Sequence, residues 1–228
     1  MKLLTLRKLH KWVALFVGIQ VLLWTVSGAT FAWLDHHRVQ GEHLTSEPAV
    51  QGLPRAETLA EPAEWVDPLA TSHVRELSLV SLDGRWFYRI EHDQGVELRH
   101  AKDGARFELD GPTVRRLAAE RYRGEGRLAK LVFHPVEALE SRGLGATWQA
   151  RFDDETGTSL YFSAADGALV ATRTDAWRVF DFFWMLHTMD YQGRDDFNHP
   201  LVVLAASAAL WVALTGIYLL ARVYRWLG

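Results

Sequence analysis

Ten histidines are the side chains of this chain best suited to chemistry, because an imidazole nitrogen can hold a metal ion or the iron of a haem. Haem iron bound by two imidazoles requires histidines on facing helices at matching depth. Five of the histidines border two long apolar stretches of the sequence. These five are the candidate haem ligands: His10, His36, His37, His187 and His199.

Four of the candidate ligands fall between the two apolar stretches, so we expect them near the same membrane surface. His36 and His37 follow the first stretch, whereas His187 and His199 precede the second. His187 is the preferred ligand, with His37 or His36 as its partner. It belongs to a helical pattern at 176–190 whose aromatic side chains could enclose a porphyrin while lying in the membrane interface.

His10 lies at the opposite end of the first stretch, and no histidine lies at the corresponding end of the second. A haem there would need a second copy of the chain or another protein. A simpler interpretation is also open. In it, His10, His36, His37 and His199 are ordinary interfacial residues, which headgroups tolerate because the imidazole has one polar end.

The other five histidines do not suggest a site. They fall in linker or strand regions, and no two of them have a compact ligand spacing such as i, i+4 on a helix. We therefore predict no metal site, and surface positions for these five: His43, His73, His92, His100 and His134.

The two apolar stretches must position any such site. Trp12–Leu34 runs for 23 residues and Leu201–Ala221 for 21 without a charge. A helix rising about 1.5 Å per residue makes the first roughly 34 Å long, enough to cross a hydrocarbon core of about 30 Å. We predict transmembrane helices at 12–34 and 200–221. The alternative is a cleaved signal peptide, since Ser27-Gly28-Ala29 is small-x-small, but the apolar run continues beyond it.

Charge is divided sharply along the chain. All 28 acidic residues lie between Asp35 and Asp196, where 19 Lys and Arg leave a net charge of −9. The two tails, 1–11 and 222–228, carry only basic charges, so the positive-inside rule places both in the cytoplasm. Residues 35–199 would then be periplasmic, with the helices in a bacterial inner membrane. An acidic external domain argues against nucleic acid as a partner, and the absence of cysteine excludes thiol catalysis.

The region between the helices predicts an α+β domain. A linker at 35–73, with short helical pieces around 56–70, precedes a first sheet at 74–111 and a second repeat at 112–175 that opens with a helix at 112–123. The segment 176–199 is the aromatic helix and its turn. Alternation and turn residues predict strands at 74–82, 85–91, 96–100, 106–109, 127–134, 147–153, 159–163 and 168–173.

These strands suggest an internal duplication. Trp86 and Gly95 recur as Trp148 and Gly157, both at an offset of 62 residues, and Asp-Gly turns follow in each half. Because Asp-Gly is common in hairpins, chance is the alternative, but the shared spacing favours two copies of a helix-plus-antiparallel-sheet unit.

Several stretches resemble one known family. LHKWVALFVG and WTVSG, within 9–28, resemble the first helix of PepSY-associated transmembrane proteins, and LHTMD with ALTGIYLLAR, within 186–222, resembles their later helix. The duplicated unit resembles PepSY repeats. Many members of this family have four spans, and some are fused to flavin reductase domains. This chain has two predicted spans and no nucleotide-binding fingerprint, so we do not expect a self-contained enzyme.

The resemblance implies a role in iron chemistry. Known members include inner-membrane proteins of iron acquisition, and some carry haem b between membrane helices and pass electrons to ferric siderophores. It therefore implies an accessory or haem-linked electron-transfer component of iron or siderophore redox chemistry, with the lipid bilayer and either a second copy or other membrane proteins as partners.

Two other functions stay open. PepSY repeats resemble inhibitory pro-domains of secreted peptidases, so the external domain could hold a protein or peptide at a sheet edge and regulate a peptidase. Alternatively, the small and polar residues of the first span suit a structural subunit that braces a larger membrane complex.

Overall fold

The structure is a computed structural model that describes residues 3–48, 52, 54–55, 59–62 and 74–227. Residues 225–227 are described by their backbone alone. The short helical pieces predicted around 56–70 lie largely outside the described residues, as does His73. The helices are α1 (Leu3–Trp33), α2 (His36–Gln40), α3 (Gly111–Arg121), α4 (Asp175–Thr188) and α5 (Pro200–Leu227). The strands are β1 (Val74–Leu82), β2 (Arg85–His92), β3 (Gly95–His100), β4 (Arg106–Phe107), β5 (Leu128–His134), β6 (Thr147–Phe152), β7 (Ser159–Ser163) and β8 (Leu169–Arg173).

The chain divides into two compact units. The membrane unit combines Met1–His36 with Ala176–Gly228, and the sheet unit is His37–Asp175. Two helices of the membrane unit, Leu3–Trp33 and Pro200–Tyr224, are long and apolar enough to cross a membrane. Phe16 and Leu204, which are about 70% exposed, illustrate the apolar side chains that both helices present outward. Such surfaces suit contact with lipid.

The first helix is longer than the predicted span. It begins at Leu3 and therefore includes the basic tail, because leucine, arginine and lysine are strong helix formers and nothing in 3–11 breaks the helix. By contrast, α4 has 14 residues, which makes it about 21 Å long. It is too short to cross a bilayer.

Two four-stranded antiparallel sheets form the sheet unit, with strand orders β1-β2-β3-β4 and β5-β6-β7-β8. All eight predicted strands are present, each within two residues of its expected ends. The two sheets also share an irregularity: the register shifts between Val74 and Glu76 in β1 and between Leu128 and Lys130 in β5. A bulge at the same place in both first strands agrees with two related repeats.

The turn between β1 and β2 follows its local sequence. Asp83 and Gly84 have φ values of 52° and 72°, and Leu82 pairs with Arg85 across them. Positive φ at both central residues is the geometry that makes Asp-Gly favourable in a two-residue hairpin.

Helix α3 packs against both sheets. Its side chains Val114 and Leu117 are buried together with Phe87 of the first sheet and Leu160 and Phe162 of the second, so one apolar core joins the two repeats. Asp110 precedes the helix as its N-cap, and its carboxylate accepts the N–H of Thr113 at 2.9 Å.

The end of α3 differs from the prediction. The helix stops at Arg121 rather than at residue 123, because the next residues pair with the segment before the first sheet. Arg123 donates its N–H to the carbonyl of Leu44 at 2.9 Å, and Thr45 bridges Tyr122. Pairing with this extended segment satisfies backbone N–H and C=O groups that would otherwise have needed hydrogen bonds within a longer helix.

Candidate functional site

His187 of α4 is joined to α1 by a side-chain hydrogen bond. Its Nδ1 lies 2.8 Å from Oγ of Ser27, a serine that is completely buried. The backbone carbonyl of His187 also accepts the indole N–H of Trp24 at 2.8 Å. One turn of α4 is thus held to α1 through both its backbone and its imidazole.

The serine hydroxyl lies within hydrogen-bond distance of two groups. Its Oγ is 3.1 Å from the carbonyl of Trp24, three residues earlier in α1, and 2.8 Å from Nδ1 of His187. When the hydroxyl hydrogen goes to the carbonyl, Oγ accepts from Nδ1 of His187, because a hydroxyl has one proton. In that arrangement Nε2 carries the lone pair. Burial lowers the pKa of His187, which favours this neutral form.

Aromatic rings surround the imidazole. The ring of Phe31 lies 5.6 Å from that of His187, centroid to centroid, and Phe31 also contacts Phe180 at 4.9 Å and Trp184 at 6.2 Å. Nearby, the side-chain amide of Gln20 donates to the carbonyl of Leu186 at 3.3 Å. The polar groups of this region therefore lie among aromatic side chains.

His10 forms a matching arrangement between α1 and α5. Its Nδ1 lies 2.8 Å from Oγ1 of Thr215, and that hydroxyl donates to the carbonyl of Trp211 at 2.8 Å. When that hydroxyl hydrogen goes to the carbonyl, Nδ1 of His10 is the donor and Nε2 carries the lone pair. Gly216 lies beside the ring, since a Cβ there would be 3.5 Å from Cε1 of His10, an ordinary contact distance.

The two sites are well separated along one helix. Ser27 and His10 are 17 residues apart in α1, which corresponds to about 25 Å at the α-helical rise. That distance approaches the thickness of a hydrocarbon core. Each end of the membrane unit therefore holds a histidine whose Nδ1 is hydrogen-bonded to a hydroxyl on a neighbouring helix.

The other candidate ligands have different surroundings. Nδ1 of His37 lies 2.7 Å from a carboxylate oxygen of Glu42, and its side chain is 79% exposed. His36 is exposed at the start of α2. His199 precedes α5, where its carbonyl accepts the N–H groups of Val202 and Val203. In the part of the chain that the structure describes, no group of three or more His, Asp or Glu side chains could hold a metal ion.

The sequence did not single out the hydroxyl partners. Ser27 belonged to a possible cleavage motif and to the small and polar residues of the first span, and Thr215 with Gly216 lay in the stretch that resembles the later helix of the family. Serine and threonine in a membrane helix can bond to their own backbone and still accept from a neighbouring helix. Polar residues inside apolar runs were the available signal, but they do not identify their partners.

His187 has one feature that a haem ligand requires. Iron is bound by a neutral imidazole whose other nitrogen donates a hydrogen bond, and His187 would meet this condition with its proton on Nδ1. His10 offers the same donor group. The arrangement supplies one such imidazole at each end of the membrane unit.

Comparison with known proteins identifies the family. The model of the PepSY-associated TM region matches residues 7–227, which include nearly all of the first long helix, the second long helix and the whole sheet unit. No curated protein and no solved structure matches the chain. With nearly the full sequence matched and two helices able to cross a membrane around an α+β unit, the resemblance is confirmed, and the chain is a membrane protein that belongs to the PepSY-associated TM region family.

Proposed function

We propose that this protein binds haem b in a bacterial inner membrane and carries electrons in iron or siderophore redox chemistry. One observation supports the proposal above the others: Nδ1 of His187 lies 2.8 Å from Oγ of Ser27, and a proton on Nδ1 would leave Nε2 the lone pair that an iron ion needs. Bound haem would supply a one-electron carrier. The chain itself binds, orients and desolvates that group.

Ser27 and the aromatic side chains have separate roles in this proposal. The hydrogen bond to Ser27 orients the imidazole and raises its basicity as a ligand. Phe31 and Trp24 limit the access of water, which tunes the potential of a haem. His10 would hold a second haem in the same way, using Nε2, with Thr215 in the place of Ser27.

At the outer site, His36 or His37 would be the second histidine that holds the group. At the inner site it comes from a second copy of the chain, because a symmetric pair supplies two copies of His10. We therefore propose a homodimer in the membrane, with both termini in the cytoplasm and residues 35–199 on the outer side.

An absorption spectrum of the detergent-purified full chain, oxidised and then reduced, tests this function. After expression with ample haem, we expect a Soret band that His187→Ala removes in large part. His92→Ala is the matched control, because His92 lies at a hairpin end of the first sheet and bonds only to the backbone of Gln94 among the contacts described. Replacing both His36 and His37 by alanine should convert a low-spin spectrum to a high-spin one.

A colourless preparation that is folded and stable would contradict the haem proposal. If His187→Ala then also lowered the stability of the colourless protein, the hydrogen bond to Ser27 would be a structural contact between α1 and α4. Reporter fusions at residue 140 test the topology independently, and a cytoplasmic signal there would contradict an external sheet unit.

A further inference from the structure

A cavity of about 220 Å³ lies in the sheet unit, where the β1–β2 turn meets the β7–β8 turn over the last part of α3. Its apolar walls come from both repeats and from the helix: Val80, Leu82, Leu117 and Phe162. Gly167 brings the β7–β8 turn close, because a Cβ at that position would lie 3.0 Å from Leu82. The cavity is therefore built by the contact between the two repeats.

One charged side chain in the cavity wall has an unsatisfied donor. Nε of Arg121 is buried and has no hydrogen-bond partner among the described residues. A buried guanidinium N–H without an acceptor is unfavourable, and because Arg121 lines the cavity, a ligand bound there would supply an acceptor once the guanidinium turns towards it.

Arg121 is not needed to cap its own helix. Ser46 performs that task, since its N–H donates to the carbonyl of Arg121 at 2.9 Å and its hydroxyl donates to the carbonyl of Glu120 at 3.1 Å. The carbonyl groups at the end of α3 are thus satisfied without a guanidinium.

The other charges around the cavity are already paired. Nε of Arg89 donates to Asp166 at 3.0 Å, which links the first sheet to the β7–β8 turn. Asp83 accepts from Arg116 at 2.7 Å. Glu120 is exposed to solvent and also has an interaction of its own. Among the described residues that line this cavity, Arg121 is therefore the cation whose Nε has no hydrogen-bond partner.

We infer that this cavity binds a carboxylate attached to a compact apolar group. A planar carboxylate matches the guanidinium fork of Arg121, and the apolar group would fill the space between Leu82, Leu117 and Phe162. A phosphate or sulfate fits poorly, because apolar walls cannot replace the hydration of a dianion. The volume corresponds to roughly seven water molecules at about 30 Å³ each, so the ligand is the size of one amino acid.

That chemistry has two sources, a free small carboxylic acid and the carboxyl-terminal residue of a polypeptide. The probes are N-acetylleucine, its uncharged analogue N-acetylleucinamide, and a hexapeptide that ends in leucine, with a free or an amidated terminus. Each is titrated calorimetrically into the detergent-purified full chain. The amidated forms retain the apolar group and remove the carboxylate alone.

We expect N-acetylleucine to bind, and N-acetylleucinamide to bind at least about tenfold more weakly, as the loss of one charged hydrogen bond predicts. Arg121→Gln should weaken the acid by a similar factor and remove the discrimination between acid and amide. Arg123→Gln is the matched control, because it removes the same charge two residues away at a side chain outside this cavity. Val80→Phe, which fills the cavity from the wall, should also abolish binding.

Binding of the free-terminus hexapeptide as tight as that of N-acetylleucine would support a polypeptide terminus as the source, whereas binding of N-acetylleucine alone would support a small acid. The inference is overturned if N-acetylleucine and its amide bind equally, or if neither binds to a chain whose circular dichroism and thermal unfolding are normal. An Arg121→Gln chain that is folded and binds the acid as the natural chain does would overturn it as well.

Discussion

The imidazole of His187 and the hydroxyl of Ser27 meet at 2.8 Å although 160 residues separate them in the sequence. The serine is completely buried, and its hydroxyl also lies 3.1 Å from the carbonyl of Trp24. The hydrogen bond between Ser27 and His187 joins α4 to α1. It is therefore the contact through which the membrane unit can be tested most directly.

Ser27→Ala should destabilise the membrane unit by about 1 kcal/mol, because the Nδ1–H of His187 loses its acceptor in a buried place. The measurement is equilibrium unfolding of the purified chain in a titration from mild detergent into dodecyl sulfate. Thr25→Ala is the control, since Thr25 is exposed and bonds only to the carbonyl of Val21 in its own helix. Equal losses in the two variants would contradict the proposed importance of the contact.

The His10–Thr215 contact should show coupling in a double-mutant cycle. His10→Ala and Thr215→Val each remove one partner of the 2.8 Å hydrogen bond, so the double variant should lose about 0.5–1.5 kcal/mol less than the sum of the single ones. The same detergent titration measures it. Replacement of Ser207, whose hydroxyl bonds to Val203 in its own helix, supplies a pair with His10 that should show no coupling.

Gly216 should tolerate alanine and reject a large side chain. A Cβ would lie at an ordinary contact distance of 3.5 Å from Cε1 of His10, whereas a leucine would have to displace the ring. We expect Gly216→Leu to cost about 1–3 kcal/mol in the same unfolding assay. Gly18→Leu is the control, because no atom of the described residues lies within 4 Å of a Cβ at residue 18. Comparable losses at both glycines would show that the space beside His10 is not special.

Tyr122 should make stability depend on pH in the alkaline range. Burial and a 2.7 Å hydrogen bond to Asp154 raise the pKa of Tyr122 from 10.0 to about 12. Because the folded chain holds the phenol proton more tightly than the unfolded chain, this contribution is complete below pH 10 and is lost as the pH rises to 12.

The test compares Tyr122→Phe with the natural chain by thermal unfolding between pH 7 and 12. We expect the variant to be less stable by about 1–2 kcal/mol at pH 7, and the difference to shrink above pH 10. Stacking on Phe152, at 3.7 Å between ring centroids, is available to phenylalanine too. Tyr191→Phe serves as the control, since Tyr191 is 48% exposed. A difference that stays constant to pH 12 would contradict the raised pKa.

Asp190 should stabilise the loop between α4 and α5 until strongly acidic pH. Burial alone would raise the pKa of this carboxyl, but four backbone N–H groups, from Asp196, Asp195, Gly193 and Gln192, outweigh it and lower the pKa to about 2. The folded state thus holds this proton less tightly than the unfolded state. The stabilisation is present above the ordinary pKa of 3.8 and is lost as the pH falls towards 2.

Hydrogen exchange of the four amides that donate to Asp190 tests this directly. In Asp190→Asn at pH 7 they should exchange at least about tenfold faster, because an amide oxygen is a weaker acceptor than a carboxylate. Asp195→Asn, at an exposed side chain of the same loop, should leave their exchange nearly unchanged. Unaltered protection in Asp190→Asn would show that the carboxylate does not hold the loop.

Local sequence was sufficient for the two long helices and for the strands. Charge-free runs revealed the helices, and alternating side chains bounded by turn residues located all eight strands. These signals depend on backbone preference and on which face of an element is buried, and neighbouring residues determine both. The predicted end of α3 was wrong by two residues because its stop depends on pairing with Leu44 and Thr45, far away in the sequence.

Partners across the fold required the tertiary structure. The sequence does not identify the partners of Ser27, Thr215 and Arg121, since a hydroxyl in an apolar helix or a basic residue at a helix end has many possible neighbours. Their surroundings are determined by the rotation and register of the packed elements. This packing places Ser27 beside His187 and leaves Nε of Arg121 buried at a cavity wall. Composition and periodicity therefore determined the long helices and the strands of this protein. The packing of those elements decided which side chains meet, because local sequence does not determine packing geometry.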